Sequence, residues 1–129
     1  MISHLHHVNF IVRDLKSAVQ RYQQVLGFGE FIFDSLDKRG VITARIKLGQ
    51  TWFVLVQPTD SSSQPGQYLE KHGEGFFLLS FATTNLDATI NTLEKPSEKR
   101  QGLENWLVAD LPENLFFGAQ LQLTQESTN

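Results

Sequence analysis

The chain of 129 residues contains no cysteine, and this absence removes several kinds of site at once. Disulfide scaffolds, thiolate zinc sites, iron–sulfur clusters and cysteine nucleophiles all need the missing thiol. No apolar run is long enough to cross a bilayer. The first residues also lack the basic region and apolar block of a signal peptide. We therefore expect a soluble cytoplasmic protein.

Basic residues are also few, with 11 Lys and Arg against 14 Asp and Glu and a net charge of −3. Nucleic acids and anionic membranes reward clustered Lys and Arg, so neither is an expected partner. The hydrophobic fraction of 40% and the length support one domain with a core of its own. We expect a single domain spanning residues 1–129.

The first half of the chain has a strand–helix–hairpin pattern. A β-prone run at 7–12 precedes Asp14, whose carboxylate is a typical helix N-cap. Apolar residues then share one helical face until Gly27, which predicts a left-handed helix end. Residues 42–48 alternate between apolar and polar, and a Gly-Gln turn leads into an apolar run at 52–57. Together they predict an antiparallel hairpin.

The second half repeats the order of a strand followed by a capped helix. Asp14, Leu15 and Tyr22 correspond to Asn85, Leu86 and Leu93, each pair 71 residues apart. This spacing indicates an internal duplication. The other predicted segments are a surface loop at 58–67, a strand at 76–81, a helix from 86 to 93 stopped by Pro96, a charged loop at 97–102, and strands at 103–109 and 115–123.

The opening residues carry a family resemblance. The run from His7 to Leu15, followed by Tyr22 and by Val25-Leu26-Gly27, resembles the opening of the vicinal oxygen chelate superfamily of glyoxalases, bleomycin resistance proteins and dioxygenases. The stretch 68–75 is most similar to the amino-terminal half of 4-hydroxyphenylpyruvate dioxygenase, and next to methylmalonyl-CoA epimerase. The resemblance covers residues 5 to about 94, whereas the last third is shorter than the usual pattern.

This resemblance implies an α+β fold made of two βαβββ modules. In the superfamily the modules form a curved mixed sheet, glyoxalase-like, with the helices outside. Module one would span about 4–60 and module two about 75–125. Members commonly form dimers, so a homodimer is implied as well.

The resemblance also implies four metal-ligand positions on four strands. They fall on His7, Val54, Leu78 and Gln122. His7 is a competent ligand and Gln122 a weak one, but the two aliphatic residues cannot coordinate. One imidazole and one amide carry no charge to offset desolvation of the ion. We therefore expect no metal cofactor, and a divalent ion on His7 and Gln122 is the disfavoured alternative.

The lining of the concave face follows from these four positions by strand parity. It is apolar and aromatic with a few neutral polar groups, which suits a small, largely apolar organic ligand. The alternative is that the same side chains fill the barrel. The expected lining is His7, Asn9, Trp52, Val54, Val56, Leu78, Ser80, Gln120 and Gln122.

Other polar residues have ordinary structural explanations. His4 and His6 should share the strand face opposite His7 and be solvated, with a two-His metal site as the weaker alternative. His72 and Glu74 lie in a Gly-containing turn and should face solvent. Arg45 should also be exposed, although it could hold a carboxylate if its side of the strand faces the concavity.

Three functional hypotheses remain open on the sequence. The favoured one is a metal-free protein that binds a small molecule. The second is a metal-dependent lyase, epimerase or dioxygenase of the same superfamily, so catalysis is undecided and no catalytic residue is assigned. The third is a structural or interaction module with a filled barrel.

Overall fold

The computed structural model describes residues 1–93 and 98–126, which contain eight strands and three α-helices. Two one-turn 3₁₀ helices, at Asp37–Arg39 and Glu113–Leu115, interrupt the connections. Within this described part, no helix has the length and apolar character needed to span a membrane. The elements are β1 (Ile2–Ile11), α1 (Leu15–Leu26), β2 (Ile32–Leu36), β3 (Val41–Leu48), β4 (Thr51–Pro58), α2 (Gln64–His72), β5 (Gly75–Thr83), α3 (Leu86–Ile90), β6 (Lys99–Gln101), β7 (Trp106–Asp110) and β8 (Leu121–Glu126).

The chain divides into two compact units. The central unit is Val8–Phe77, and the terminal unit combines Met1–His7 with Leu78–Asn129. Strands β1 and β5 each contribute residues to both units. The assignment of the whole chain to one domain with modules at about 4–60 and 75–125 remains a prediction.

In the central unit, β3 pairs antiparallel with both β2 and β4. Ala44 lies opposite Leu55, so both point to the same side of the sheet. On that side the amphipathic helix α1 packs its buried residues Leu15 and Val19. Phe31 completes the buried cluster. One face of this sheet is therefore covered by a helix.

The terminal unit contains a mixed sheet. Strand β5 pairs parallel with β8, β8 pairs antiparallel with β7, and β7 with the short edge strand β6. Helix α3 buries Leu86 and Ile90 against Ala109 and Leu123. This unit also has one helix-covered sheet face.

The predicted starts of both helices are confirmed. The Asp14 carboxylate accepts from the Ser17 amide at 3.1 Å, and the Asn85 side-chain oxygen accepts from the Ala88 amide at 3.0 Å. Each satisfies one of the amides that a helix leaves unpaired at its start. Gly27 ends α1 with φ 69°, a conformation that costs glycine little.

The duplication extends to a side-chain bond at each helix start. The amide of Leu15 donates to Oε1 of Gln57 at 2.8 Å, and the amide of Leu86 donates to Oε1 of Gln125 at 2.6 Å. Gln57 belongs to β4 and Gln125 to β8, the last strand of each unit's sheet. The two halves therefore repeat in detail as well as in element order.

Several predicted boundaries are wrong. The predicted loop at 58–67 gives way at Gln64 to helix α2, because Ser63 caps the Gly66 amide and Pro65 suits a first helical turn. Part of the predicted charged loop pairs with β7 as β6, which sequence charge alone did not reveal. The last strand begins at Leu121, because residues Glu113–Leu115 form a 3₁₀ turn. Helix α3 ends at Ile90, and Pro96 lies outside the described residues.

Candidate functional site

Helices α1 and α3 each cover one sheet face of their unit. The opposite face, which neither of these two helices covers, is called the helix-free face, and the predicted site residues lie on these faces. In the central unit, Thr43 pairs opposite Val56 and Arg45 opposite Val54. They alternate with Ala44 and Leu55, which face helix α1. The helix-free face of the central unit therefore presents Thr43, Arg45, Trp52, Val54 and Val56.

Arg45 is buried on this face, with 1% of its surface exposed. Its Nη1 donates to Oδ2 of Asp34 at 2.7 Å, and the Asp34 side chain is 35% exposed. The expectation that Arg45 faces solvent is wrong. The alternating strand pattern left open which way the face of Arg45 points, and it could not reveal that this face is buried.

Trp52 contacts two cations. The guanidinium carbon of Arg45 lies 4.9 Å from the centre of the indole, and the Lys47 ammonium lies 5.2 Å from it. Such contacts between cations and aromatic rings are attractive, more so when they are shielded from water. The face combines positive charge with an aromatic surface, so it is more polar than the sequence predicted.

Two side-chain oxygens of the central unit are buried without a hydrogen-bond partner among the described residues. They are Oδ1 of Asn9 and Oγ1 of Thr43. Thr43 is 3% exposed. Phe10, the neighbour of Asn9, packs on the helix-covered side, so strand parity assigns Asn9 to the helix-free face. Buried polar atoms without a partner are uncommon in native proteins and call for an explanation.

The terminal unit holds a histidine pair. Nδ1 of His6 lies 2.8 Å from Nδ1 of His7, and Nε2 of His6 lies 2.7 Å from Oε1 of Glu126. His6 and His7 are 2% and 3% exposed. The expectation that His6 is solvated is therefore wrong.

Trp106 explains why both histidines are buried. Its indole stacks on the His7 ring at 4.9 Å and 13°, and meets the edge of the His6 ring at 4.5 Å and 88°. His6 and His7 are adjacent in β1, so regular alternation would place their side chains on opposite faces of the strand. Both nevertheless contact the Trp106 ring. Trp106 and Glu126 are the members of this cluster that sequence reasoning missed. The sequence offered one indication of Trp106, which falls within the predicted strand at 103–109.

The terminal unit also contains the four remaining predicted site residues. Ser80 and Thr124 are fully buried and share a hydrogen bond of 2.6 Å. The amide nitrogen of Gln122 donates to Oδ1 of Asp110 at 3.2 Å. Leu78 is buried, and the Gln120 carbonyl accepts from the Leu79 amide.

The four superfamily ligand positions do not suit a divalent ion. Val54 and Leu78 are buried aliphatic residues without donor atoms. In residues 1–93 and 98–126, no three His, Asp or Glu side chains come together as a metal-binding group. The donor set that remains, His7 and Gln122, carries no negative charge of its own.

His72 and Glu74 are exposed, as expected. The expected turn position of His72 is wrong, because His72 is the last residue of helix α2. The His72 ring lies 4.4 Å from the Tyr68 ring at a tilt of 37°, and Oε2 of Glu74 accepts from the Arg13 amide at 2.9 Å. Neither contact involves a predicted site residue.

The sequence also matches a family model. Residues 6–97 match the model of the Glyoxalase/Bleomycin resistance protein/Dioxygenase superfamily. The chain belongs to this superfamily. The predicted resemblance and the α+β, glyoxalase-like fold class are thus confirmed.

Solved epimerase structures share the fold. The methylmalonyl-CoA epimerase of Streptomyces coelicolor in complex with 2-nitronate-propionyl-CoA has a TM-score of 0.90 at 24% identity, covering 99% of this chain and 97% of that one. The epimerase from Mycobacterium tuberculosis has a TM-score of 0.89 at 24% identity, covering 98% of this chain and 89% of that one. At this identity the likeness concerns the fold.

One curated protein is also similar. The uncharacterized protein YqjC of Bacillus subtilis (strain 168) is 25% identical over 92 residues. The match covers 71% of this chain and 66% of the relative, just under two thirds of its length.

Proposed function

We propose that this chain binds a small, largely apolar organic molecule on its helix-free sheet surface, without a chelated divalent ion. The observation that carries the proposal is in the central unit. There the side chains of Trp52, Val54 and Val56 are largely apolar. The oxygens of Asn9 and Thr43 on the same face are buried and have no hydrogen-bond partner within residues 1–93 and 98–126.

The energetics of these two oxygens favour a bound partner. A buried polar group without a hydrogen bond costs about 1–3 kcal/mol. A ligand hydroxyl or amide that donates to Asn9 or Thr43 would recover part of this cost. The ligand's own apolar surface would add about 25 cal/mol for each Å² that leaves water on binding. A few placed polar groups among apolar side chains are typical of small-molecule sites.

The terminal unit carries predicted lining residues of its own. His7, Ser80 and Gln122 are buried polar side chains, and Leu78 and Gln120 belong to the same predicted lining. All three polar side chains bond within the unit, to His6, Thr124 and Asp110 respectively. The proposed directional contacts to a ligand are therefore those of the central unit.

The metal-dependent alternative lacks the chemistry it needs. In that mechanism the ion polarises the substrate and stabilises the charge that develops on its oxygens. Val54 and Leu78 offer no donor at two of the four ligand positions. The similarity to methylmalonyl-CoA epimerases supports the scaffold, whereas the donor set argues against a reaction on a chelated ion.

We also propose a cytoplasmic homodimer that does not bind nucleic acid or membranes. The low content of Lys and Arg supports the latter point. Light scattering coupled to size exclusion tests the dimer, and a single species of 14.7 kDa would contradict it.

A thermal-shift screen of hydrophobic carboxylates, acyl-CoA compounds and aromatic antibiotics tests ligand binding. A ligand that binds only the folded state must raise its melting temperature. Asn9→Leu should reduce the shift because it removes one of the two unpartnered oxygens, and the exposed Thr59→Val is the control. No stabilisation by any compound would favour the filled-barrel hypothesis.

Metal analysis of the purified protein tests the second part of the proposal. We expect less than stoichiometric divalent metal after dialysis against a chelator-free buffer. Stoichiometric metal that disappears on His7→Ala would overturn the metal-free assignment.

A further inference from the structure

We infer that Phe117 of one copy of this chain is the anchor of the homodimer, and that it inserts into a surface groove in the central unit of a second copy. The inference rests on the proposed homodimer and names the contact that holds the two copies together. It is independent of the proposed ligand on the helix-free face.

Phe117 combines full exposure with an unusual backbone conformation. Its side chain is entirely exposed, and its φ of 59° lies in the left-handed region. That region is a genuine outlier for a bulky residue, and such outliers cluster at functional sites. Single exposed hydrophobic residues are ordinary, but an exposed ring on a strained backbone calls for an explanation.

The loop around Phe117 holds this conformation with its own hydrogen bonds. The amides of Phe116 and Gly118 both donate to the Glu113 carbonyl, at 3.1 and 3.0 Å. The Ala119 amide donates to the Phe116 carbonyl at 3.1 Å. The ring is therefore presented on a backbone that is already ordered. An anchor of this kind loses little conformational freedom on binding, which favours association.

The central unit has a surface groove that suits such a ring. It lies between α1 and the segment leading into β2, and its volume is about 350 Å³. Pockets for drug-sized ligands span about 300–1,000 Å³, so this groove is at the small end and fits one aromatic side chain. Its lining combines buried apolar, exposed aromatic and polar side chains. The lining includes Val19, Phe31, Phe33, Lys16, Gln20 and Glu30.

Charge complementarity favours a second copy as the partner. Glu113 is the one charged residue in the loop sequence 112–118, and Lys16 gives the groove a cation with which it can pair. Glu30 puts a carboxylate on the same groove, so the favourable orientation has Glu113 beside Lys16. The loop contains no Lys or Arg, so an anionic membrane would not attract it. In a two-fold dimer the contact forms twice.

Removal of the ring tests the anchor. Sedimentation equilibrium of the full-length chain measures the dissociation constant of the dimer. Phe117→Ser should raise this constant at least about 30-fold, as expected for the loss of an interface hot spot. Leu48→Ser is the control, because Leu48 is an exposed hydrophobic residue outside both the groove and the loop. Circular dichroism should show that both variants fold, since both side chains are exposed.

A mixing experiment tests the groove. Gln20→Trp should fill the groove from an exposed position on α1 and weaken the homodimer as Phe117→Ser does. Each variant alone lacks both contacts, whereas a mixed dimer keeps one. That contact joins Phe117 of the Gln20→Trp copy to the intact groove of the Phe117→Ser copy. Native mass spectrometry separates the three dimers by mass, and the mixed dimer should exceed its random share.

The outcomes separate the anchor from the homodimer. If the unmodified chain is a monomer, both proposals are wrong. If it dimerises but either variant dimerises equally well, or the mixed dimer reaches only its random share, the homodimer stands and the assigned contact is wrong. Weakened dimers of both variants, together with an excess of the mixed dimer, support both proposals.

Discussion

Arg45 and Asp110 occupy equivalent positions in the two units and carry opposite charges. Arg45 lies opposite Val54 in the β3–β4 pairing, and Asp110 lies opposite Gln122 in the β7–β8 pairing. Val54 and Gln122 in turn stand three residues before the equivalent glutamines that cap the two helix starts. The duplicated backbone thus has a basic side chain at this position in the central unit and an acidic one at the equivalent position in the terminal unit.

Each of the two residues is paired with the edge strand of its sheet. Arg45 bonds Asp34 on β2, and Asp110 accepts two bonds from Arg100 on β6, at 2.5 and 3.1 Å. Both units thus join the inner strand to the edge strand by an Arg–Asp ion pair. The Arg lies on the inner strand in the central unit and on the edge strand in the terminal unit. The burial differs as well, because Arg45 is 1% exposed and the Asp110 side chain is 50% exposed.

This difference in burial predicts different energetic costs. Asp34→Asn should lower the free energy of unfolding by about 1–3 kcal/mol, because it removes the charge that compensates a buried guanidinium. Asp110→Asn should cost less than about 1 kcal/mol, since exposed ion pairs contribute little. Urea denaturation of both variants measures the two costs. Equal losses would contradict the assigned burial of Arg45.

The side-chain bond at each helix start gives a second prediction. Gln57→Leu and Gln125→Leu should each destabilise the fold by about 1–2 kcal/mol, because a helix-start amide loses its acceptor. The exposed Gln24→Leu on α1 is the control. Denaturation midpoints measure all three variants. A loss in one unit only would show that the bonds at Leu15 and Leu86 are not energetically equivalent.

The fold was largely predictable because it depends on local patterns. The alternation in β3, the cap at Asp14 and the left-handed Gly27 are each specified by a few neighbouring residues. Helix α2 was missed because its Ser63 and Pro65 are typical of loops as well as of helix starts. Strand β6 was missed because its stability comes from pairing with β7.

The chemistry of the site was less predictable. Strand parity assigned Arg45 and His7 to faces, but parity does not say which faces are covered. His6 is buried because Trp106 and Glu126, which are both distant along the chain, contact it; Glu126 is 120 residues away. Contacts of this kind depend on tertiary packing, so no local pattern reveals them.

The buried hydroxyl pair Ser80 and Thr124 should show strong energetic coupling. Ser80→Ala alone should cost about 1–3 kcal/mol, because it leaves the Thr124 hydroxyl buried without its partner. The double variant Ser80→Ala, Thr124→Val should cost less than the sum of the two single changes. A double-mutant cycle in urea measures the coupling. Simple additivity would mean that the two hydroxyls do not depend on each other.

Asp60 should titrate below the usual carboxyl range. The Ser62 hydroxyl and backbone amide both donate to its carboxylate, and these bonds lower the pKa of Asp60 below its usual 3.8. A lowered folded-state pKa stabilises the protein above the unfolded-state pKa, and this contribution is lost as the pH falls through the folded-state value. Ser62→Ala should raise the pKa of Asp60, and Ser61→Ala should not. Carbon-13 NMR titration of the carboxyl group measures it.

Trp106 should be the more important of the two tryptophans for stability. It is 3% exposed and contacts both His6 and His7, whereas Trp52 is only partly buried. Trp106→Ala should cost about 3–5 kcal/mol, because a large buried ring and its packing are lost. Trp106→Phe should cost less, since a smaller ring still covers the histidines, and Trp52→Ala is the matched comparison. If denaturation gives Trp52→Ala the larger loss, Trp106 does not organise the histidine cluster.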